Sequence, residues 1–286
     1  MLMGISEWWG SGKGVLLDPD TGVYVIFCGL AEEDNSSQGK HGVAIMMQKR
    51  MYRLWDKGGR IMSTYGARGI NIRLPLSDTD GRTTWMSFSH GYAVQQGCPN
   101  DERDDFYDGL GILFDQGLKE DIHLLTMDTN AAIGVEEERL DQSVCGPYGE
   151  IHVNKAGEYL RSWLAQRALY AISTHFPTNK AGGYATWRHP RSRKGYQNDH
   201  IFMMRKDVKR VRRCWIQAPL VNSDHCAVKL SMRIKVKLSK RRTCNEQELM
   251  QKLDYSLIRP HHPRFNPRIH FDFISCVEDL AYKGGE

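Results

Sequence analysis

The sequence has no C-x-x-C pair, and its seven cysteines (28, 98, 145, 214, 226, 244 and 276) are odd in number and scattered. That argues against a disulfide framework and against a structural zinc site. Reduced thiols remain, none of them in a nucleophile signature. No run approaches the ~18–20 consecutive apolar residues of a membrane span. The opening MLMGISEWWGSGKG lacks the basic, apolar and cleavage regions of a secretory signal. No internal repeat is present. The expectation from these absences is a soluble, intracellular protein with no membrane partner.

What is present suits a globular chain. It has 286 residues, 41% of them hydrophobic and 10% aromatic. That is enough for one large domain with an appendage, or two small ones. The net charge of +5 is unevenly placed. Between Thr186 and Arg242 lie 17 Lys and Arg against three Asp and no Glu, so that segment carries +14 and the rest −9. A basic segment beside an acidic one suits a polyanion-binding face, with a solvated basic surface as the bland alternative.

The first two-thirds reads as short strands separated by Gly, Asp, Asn and Ser clusters: residues 23–29, 42–48, 60–66, 69–76 and 85–93. Residues 101–118 change period, with Phe106, Leu110, Leu113 and Phe114 at helical spacing. A strand then ends at Asp128. A second helix begins near Asn154, with Leu160, Trp163, Leu164 and Ala168 on one face. Strands are expected around 171–174, 184–187 and 200–204. From Cys226 to Leu238 apolar residues alternate with Lys and Arg, which reads as a half-buried strand with a basic outer face. Together these suggest a layered α/β domain with largely antiparallel sheets. Beyond about residue 240, Thr243 and Glu246 form a capping-box pattern before a short helix, and the proline-rich PHHPRFNPRIH reads as linker.

The stretch IHLLTMDTNAAIG (122–134) ends a strand in an acid, with an amide two positions later. Alone, it reads first as a turn. The same arrangement recurs along the chain, however. Glu7 follows a short apolar start, Tyr92 ends a strand in HGYAV, Asp199 precedes a strand in YQNDHIFM, and Asp224 and His225 open one in NSDHCAV. Each alone is more often a cap or turn residue. Strand ends of one sheet converge in space, so such residues can meet.

This order of motifs resembles the endonuclease/exonuclease/phosphatase superfamily, and within it the apurinic-endonuclease-like domain of non-LTR retrotransposons. The blocks CGPYGEIHVNKAGEYLRSWL and ATWRHPRSRKGYQNDHI carry the resemblance most strongly, and it covers about residues 2–232. It implies an α+β fold, an α/β sandwich of two packed, largely antiparallel β-sheets flanked by helices. Residues 1–238 would form that domain, and 239–286 a basic or helical linker or tail. It also implies metal-assisted hydrolysis of DNA phosphodiesters. Glu7 and Asp224 would serve a Mg²⁺ or Mn²⁺ ion, hard cations that take oxygen ligands. Asp128 would activate water, with Asn130 beside it. His225, Asn130 and Tyr92 would contact phosphate. Asp199 would fix the tautomer of His225 and favour its cationic form. Trp187, Arg188, Arg191, Arg193 and Lys194 would hold the DNA backbone. A nuclear location and a downstream reverse transcriptase partner follow if the chain derives from a retroelement.

Two departures qualify the match. The family's first strand, which ends in Asn before the Glu, is missing here, so either another segment fills its place or the sequence is part of a longer reading frame. The family also has Gly-Asp-Phe-Asn where this chain has Met127-Asp128-Thr129-Asn130. The alternatives are therefore a catalytically degenerate DNA-binding remnant, or a phosphatase of the same fold.

Overall fold

The computed structural model describes residues 1–30, 42–76, 83–136, 144–177, 183–218 and 223–234, with the backbone of 273–279. The chain opens with β1 (Leu2–Ser6), β2 (Lys13–Asp18), β3 (Val23–Gly29) and β4 (Gly42–Gln48). Helix α1 (Lys49–Lys57) leads to β5 (Ile61–Tyr65), β6 (Gly69–Leu76) and β7 (Thr84–Tyr92). Helix α2 (Asn100–Phe114) precedes β8 (Ile122–Asp128), and α3 (Lys155–Gln166) precedes β9 (Leu169–Ala171). The two-residue strands β10 (Trp187–Arg188) and β11 (Gly195–Tyr196) form a hairpin before β12 (Asp199–Met204). Then come β13 (Val211–Gln217), β14 (Ala227–Met232) and β15 (Phe273–Asp279).

These strands build two large sheets. One has the order β13-β14-β15-β1-β4-β3-β2, the other β5-β6-β7-β8-β12-β9. Each holds one parallel pair, β14 with β15 and β7 with β8, and is otherwise antiparallel. The α/β sandwich read from the sequence is the observed architecture. Both backbone edges of β1 are paired, by β4 on one side and β15 on the other. That matters because an unpaired buried backbone group costs about as much as a lost hydrogen bond. The paired β15 lies inside the segment expected to be a linker or tail. The expected helix after Thr243, the proline-rich stretch at 260–270 and the Lys/Arg alternation at 235–238 lie outside the described residues.

The sheets bury their alternating apolar faces against each other. Leu2, Val43, Ile45 and Met47 of the first meet Ile70, Ile72, Phe88, Leu124, Ile201 and Met203 of the second. Helices α2 and α3 cover the other face of the six-stranded sheet, where Phe106, Leu110, Leu160 and Trp163 pack on Leu125, Met127 and Phe202. Asn154 caps α3 by accepting the Gly157 N–H at 2.8 Å, which satisfies one of the orphan donors of the first turn.

Some local expectations shift. The strand expected at 171–174 lies at 169–171, and residues 172–174 form a 3₁₀ turn instead. Helix α1 carries no long apolar stripe, yet Met51 and Trp55, four residues apart, are its buried contacts. Strand β14 is not half-buried with a basic outer face. It lies between β13 and β15, and all six of its residues are buried, Lys229 included at 5% exposure. A lysine's aliphatic stem fits such a place. Among the described residues, no helix is long and apolar enough to cross a membrane.

Candidate active site

Strand register decides which side chains meet. In the six-stranded sheet Tyr92 pairs with Asp128, and Asp128 with Asp199. These three form one row across β7, β8 and β12, at the end of the sheet and on the face turned toward the other sheet. Side chains alternate with period two, so the next rows on that face are His90, Thr126 and Ile201, then Phe88, Leu124 and Met203. Polarity therefore rises from the apolar core to the acidic rim. From the seven-stranded sheet come Glu7, just past β1, and Asp224 and His225, just before β14.

The contacts join the two sheets. The Tyr92 hydroxyl donates to Glu7 Oε1 at 2.6 Å. His225 Nδ1 lies 2.9 Å from Asp199 Oδ2. Trp187 Nε1 donates to Asp224 Oδ2 at 2.7 Å. His225 is further held by a backbone bridge to Trp187, and Asp199 by its N–H to Thr186 Oγ1 at 3.0 Å. All seven residues expected at the reaction centre are thus brought to one rim: Glu7, Tyr92, Asp128, Asn130, Asp199, Asp224 and His225.

The turn after β8 explains its own sequence. Asp128 Oδ1 accepts the Asn130 N–H at 3.1 Å, and Asn130 takes φ of 45°, a left-handed conformation that Asn adopts more readily than most residues. Asn130 Nδ2 then donates to the Ala93 carbonyl, which fixes the amide beside β7. The turn read from the sequence is there, and it stands at the rim where Tyr92 and Asp199 lie in one row with Asp128. The residues that depart from the family's pattern are accommodated. Met127 is fully buried under the helices, and Thr129 donates its hydroxyl to Asn198 O at 2.7 Å, tying the end of β8 to the approach to Asp199.

Glu7 also sits in a left-handed conformation, with φ of 54°. The turn is held by Trp8 N–H donating to Gly42 O at 2.9 Å. A Cβ on Gly42 would lie 1.8 Å from the Trp8 carbonyl oxygen. Gly42→Ala is therefore expected to cost about 1–3 kcal/mol by urea denaturation, because backbone must move to admit the methyl group. A loss under about 0.5 kcal/mol would mean that the Glu7 turn has room to shift.

Burial and like charge set the electrostatics. Burial, together with the charges of Glu7 and Asp224, raises Asp128 to about 7, against the lowering effect of the Asn130 N–H. Asp199 is pushed well above the usual carboxylate range by burial and by Asp128. The Tyr92 phenol is raised by burial, then by Glu7 and Asp128. His225 is lowered to about 4, chiefly by burial. Desolvation thus opposes the cationic imidazole expected from the sequence, while the charge of Asp224 favours it.

Acids crowded to this degree suit a cation. Ligand atoms of Asp128, Asp199 and His225 all lie within 4.8 Å of one another. Asp199 Oδ1 is buried and has no hydrogen-bond partner. An orphaned carboxylate oxygen among repelling acids is what a hard divalent ion would satisfy. The carboxylates available are the two expected, Glu7 and Asp224, with Asp128 and Asp199 beside them.

The basic hairpin stands at the mouth of this rim. His189 Nδ1 accepts the N–H groups of Arg191 and Ser192, each at 3.2 Å, and so orders the loop. Arg188, Arg191, Arg193 and Lys194 are exposed, and Lys194 lies 5.1 Å from the Tyr196 ring. The Trp187 bond to Asp224 ties the hairpin to the acids. Sequence reasoning gave no role to Thr186, or to the pair Glu150 and Gln197, whose mutual bonds brace the chain before Asp199. All three lie in the two blocks that carry the resemblance, but their partners come from elsewhere in the chain.

No protein-family model matches the chain, and no curated protein matches it. Solved structures do. The AP endonuclease LMAP from Leishmania major has a TM-score of 0.50 at 13% identity, over 72% of this chain and 68% of that one. The catalytic domain of Xenopus laevis APE2 scores 0.49 at 14% identity, over 71% and 73%. The endonuclease domain of TRAS1, a telomere-specific non-LTR retrotransposon, scores 0.46 at 15% identity, over 75% and 83%. The likeness to LMAP is one of fold. The chain shares the fold of that AP endonuclease, in keeping with the α/β sandwich that its motif order implied.

Proposed function

We propose that this protein is a divalent-metal-dependent phosphodiesterase that nicks DNA, of the kind found in non-LTR retrotransposons. One observation carries the reading: the row Tyr92, Asp128 and Asp199 on one sheet faces Glu7, Asp224 and His225 from the other. Neither sheet holds enough groups alone.

The roles follow from position. Glu7 and Asp224, whose charges act on Asp128, would hold Mg²⁺ or Mn²⁺ beside the grouped ligand atoms of Asp128, Asp199 and His225. Such an ion supplies Lewis-acid polarisation of a phosphoryl oxygen. Asp128, raised to about 7, accepts the proton of an attacking water near neutral pH. Asn130, which keeps one amide hydrogen beyond its bond to Ala93, and His225 are donors for phosphate oxygens, Tyr92 orients Glu7 beside them, and Asp199 sets which ring nitrogen His225 presents. Arg188, Arg191, Arg193 and Lys194 bind backbone phosphates, and Trp187 offers an aromatic face beside them. The names of the fold's solved neighbours support a nucleic-acid substrate over a lipid or small-molecule phosphate, as does the exposed basic hairpin.

The experiment sets two substrates side by side. Purified protein with Mg²⁺ is given supercoiled plasmid DNA and, separately, a soluble phosphomonoester. Conversion of plasmid to the nicked form without turnover of the monoester is expected. Monoester turnover with intact plasmid would instead assign a phosphatase. Salt-sensitive DNA binding with neither reaction would assign a binding remnant.

A further inference from the structure

One row below the acidic rim, a buried imidazole bridges the sheets. His90 Nε2 lies 3.1 Å from Ser6 Oγ, and His90 Nδ1 lies 2.9 Å from Thr126 Oγ1. All three side chains are fully buried. Their places in the sequence are regular. Ser6 precedes Glu7, His90 stands two before Tyr92, and Thr126 stands two before Asp128. His90 and Thr126 are thus the nearest inward-facing neighbours of Tyr92 and Asp128 on their strands, and Ser6 is the last residue of β1 before Glu7. The ring also fills a slot made by glycine: a Cβ on Gly4 would lie 2.2 Å from His90 Nδ1 and 2.6 Å from Thr126 Oγ1.

We infer that His90 is a positioning residue, which through Ser6 and Thr126 sets the distance between the sheets so that Glu7 meets Tyr92 and Asp128 at the rim. The reaction to which this applies is the one proposed above. The rim contact closed by this bridge is the 2.6 Å hydrogen bond from Tyr92 to Glu7, between residues 85 positions apart. A side chain that only filled space would need no polar atoms here, and polar groups buried beside Phe88 and Leu124 are tolerated only when hydrogen-bonded. Both ring nitrogens of His90 are engaged by hydroxyls, one row in from the rim acids. Burial also lowers it to about 3, which keeps it neutral.

The test uses His90→Leu, which keeps the bulk and removes both bonds, and Ser6→Ala, which removes one hydroxyl and leaves the packing. Each variant is crystallised, and its kcat and KM for plasmid nicking are measured. The Tyr92–Glu7 separation is expected to exceed 3.5 Å in His90→Leu, with kcat down about tenfold or more and KM unchanged, since misplacement of about 1 Å is enough for such a loss. His90→Gln, whose amide can bond both hydroxyls, is expected to recover part of kcat. If His90→Leu does not fold, Ser6→Ala decides by the same separation. A variant that keeps the 2.6 Å contact overturns the inference, whatever its activity. Failure of the wild-type protein to nick DNA would overturn the proposed function, and the contact distance would still decide the role of His90.

Discussion

Asp128→Asn is expected to lose about 10³-fold or more in nicking rate while gaining stability. Both effects come from the same burial. In the proposed reaction the carboxylate takes a proton from water, and general-base removal costs about 10²–10⁴ in rate. The amide keeps an oxygen for the Asn130 N–H, so the turn survives. It cannot accept the water's proton. For stability the sign is opposite. Asp128 is raised to about 7 in the fold, against an ordinary value near 3.8. Between those values the folded protein holds a proton that the unfolded chain has released. The side chain's contribution is intact below about 4 and is lost as pH rises through about 7. Asparagine has no such loss. The advantage of the variant should grow across that window and level off above it, at roughly 1–3 kcal/mol. The comparison must be a difference between variant and wild type. Buried His90 and His200, lowered to about 3 and about 4, run the other way and destabilise as pH falls below about 6.5. Chemical denaturation at pH 4, 6 and 8 reads the difference. An Asp128→Asn protein less stable than wild type at pH 8 would mean that the carboxylate is paired, not repelled.

Divalent metal is the second large effect. EDTA is expected to abolish nicking, and Mg²⁺ or Mn²⁺ to restore it. Binding should also register without turnover, as a rise in thermal midpoint of about 5 °C or more at pH 8 under saturating ion. The rise should shrink by pH 5.5. Metal ligands must be deprotonated, and burial holds the protons of Asp128 and Asp199 to higher pH than usual. Asp199→Asn should reduce the rise, because it removes the orphaned oxygen from charge. A rise that is larger at pH 5.5, or absent at both, would place no ion among these acids.

How much of this was written in the sequence differs from one link to the next. The strands with clear alternation, such as VYVIFCG and GINIRLPL, stand where their patterns put them. Strand β2 was not legible because, on the sheet's edge, it exposes Val15 and Leu17 and keeps no apolar face apart. Strand β15 was not legible because it joins the sheet from beyond a proline-rich stretch, and pairing at that distance leaves no local trace. At the site, chain order and strand ends were enough to name Glu7, Tyr92, Asp128, Asp199 and His225. The sequence does not contain their register. That Tyr92, Asp128 and Asp199 share a row depends on which strands pair, and β7 and β8 pair in parallel across α2. The bridge at His90 lay in view, since period two puts it on the face of Tyr92. What it touches comes from the other sheet, so only the fold could reveal it.

The central claim is that one rim of this sandwich hydrolyses DNA phosphodiesters with a divalent ion. It is tested most directly by giving supercoiled plasmid and Mg²⁺ to three proteins purified alike: wild type, Asp128→Asn and His225→Ala. Wild type is expected to convert the plasmid to the nicked form, and both variants to leave it supercoiled. Equal nicking by all three would contradict the claim.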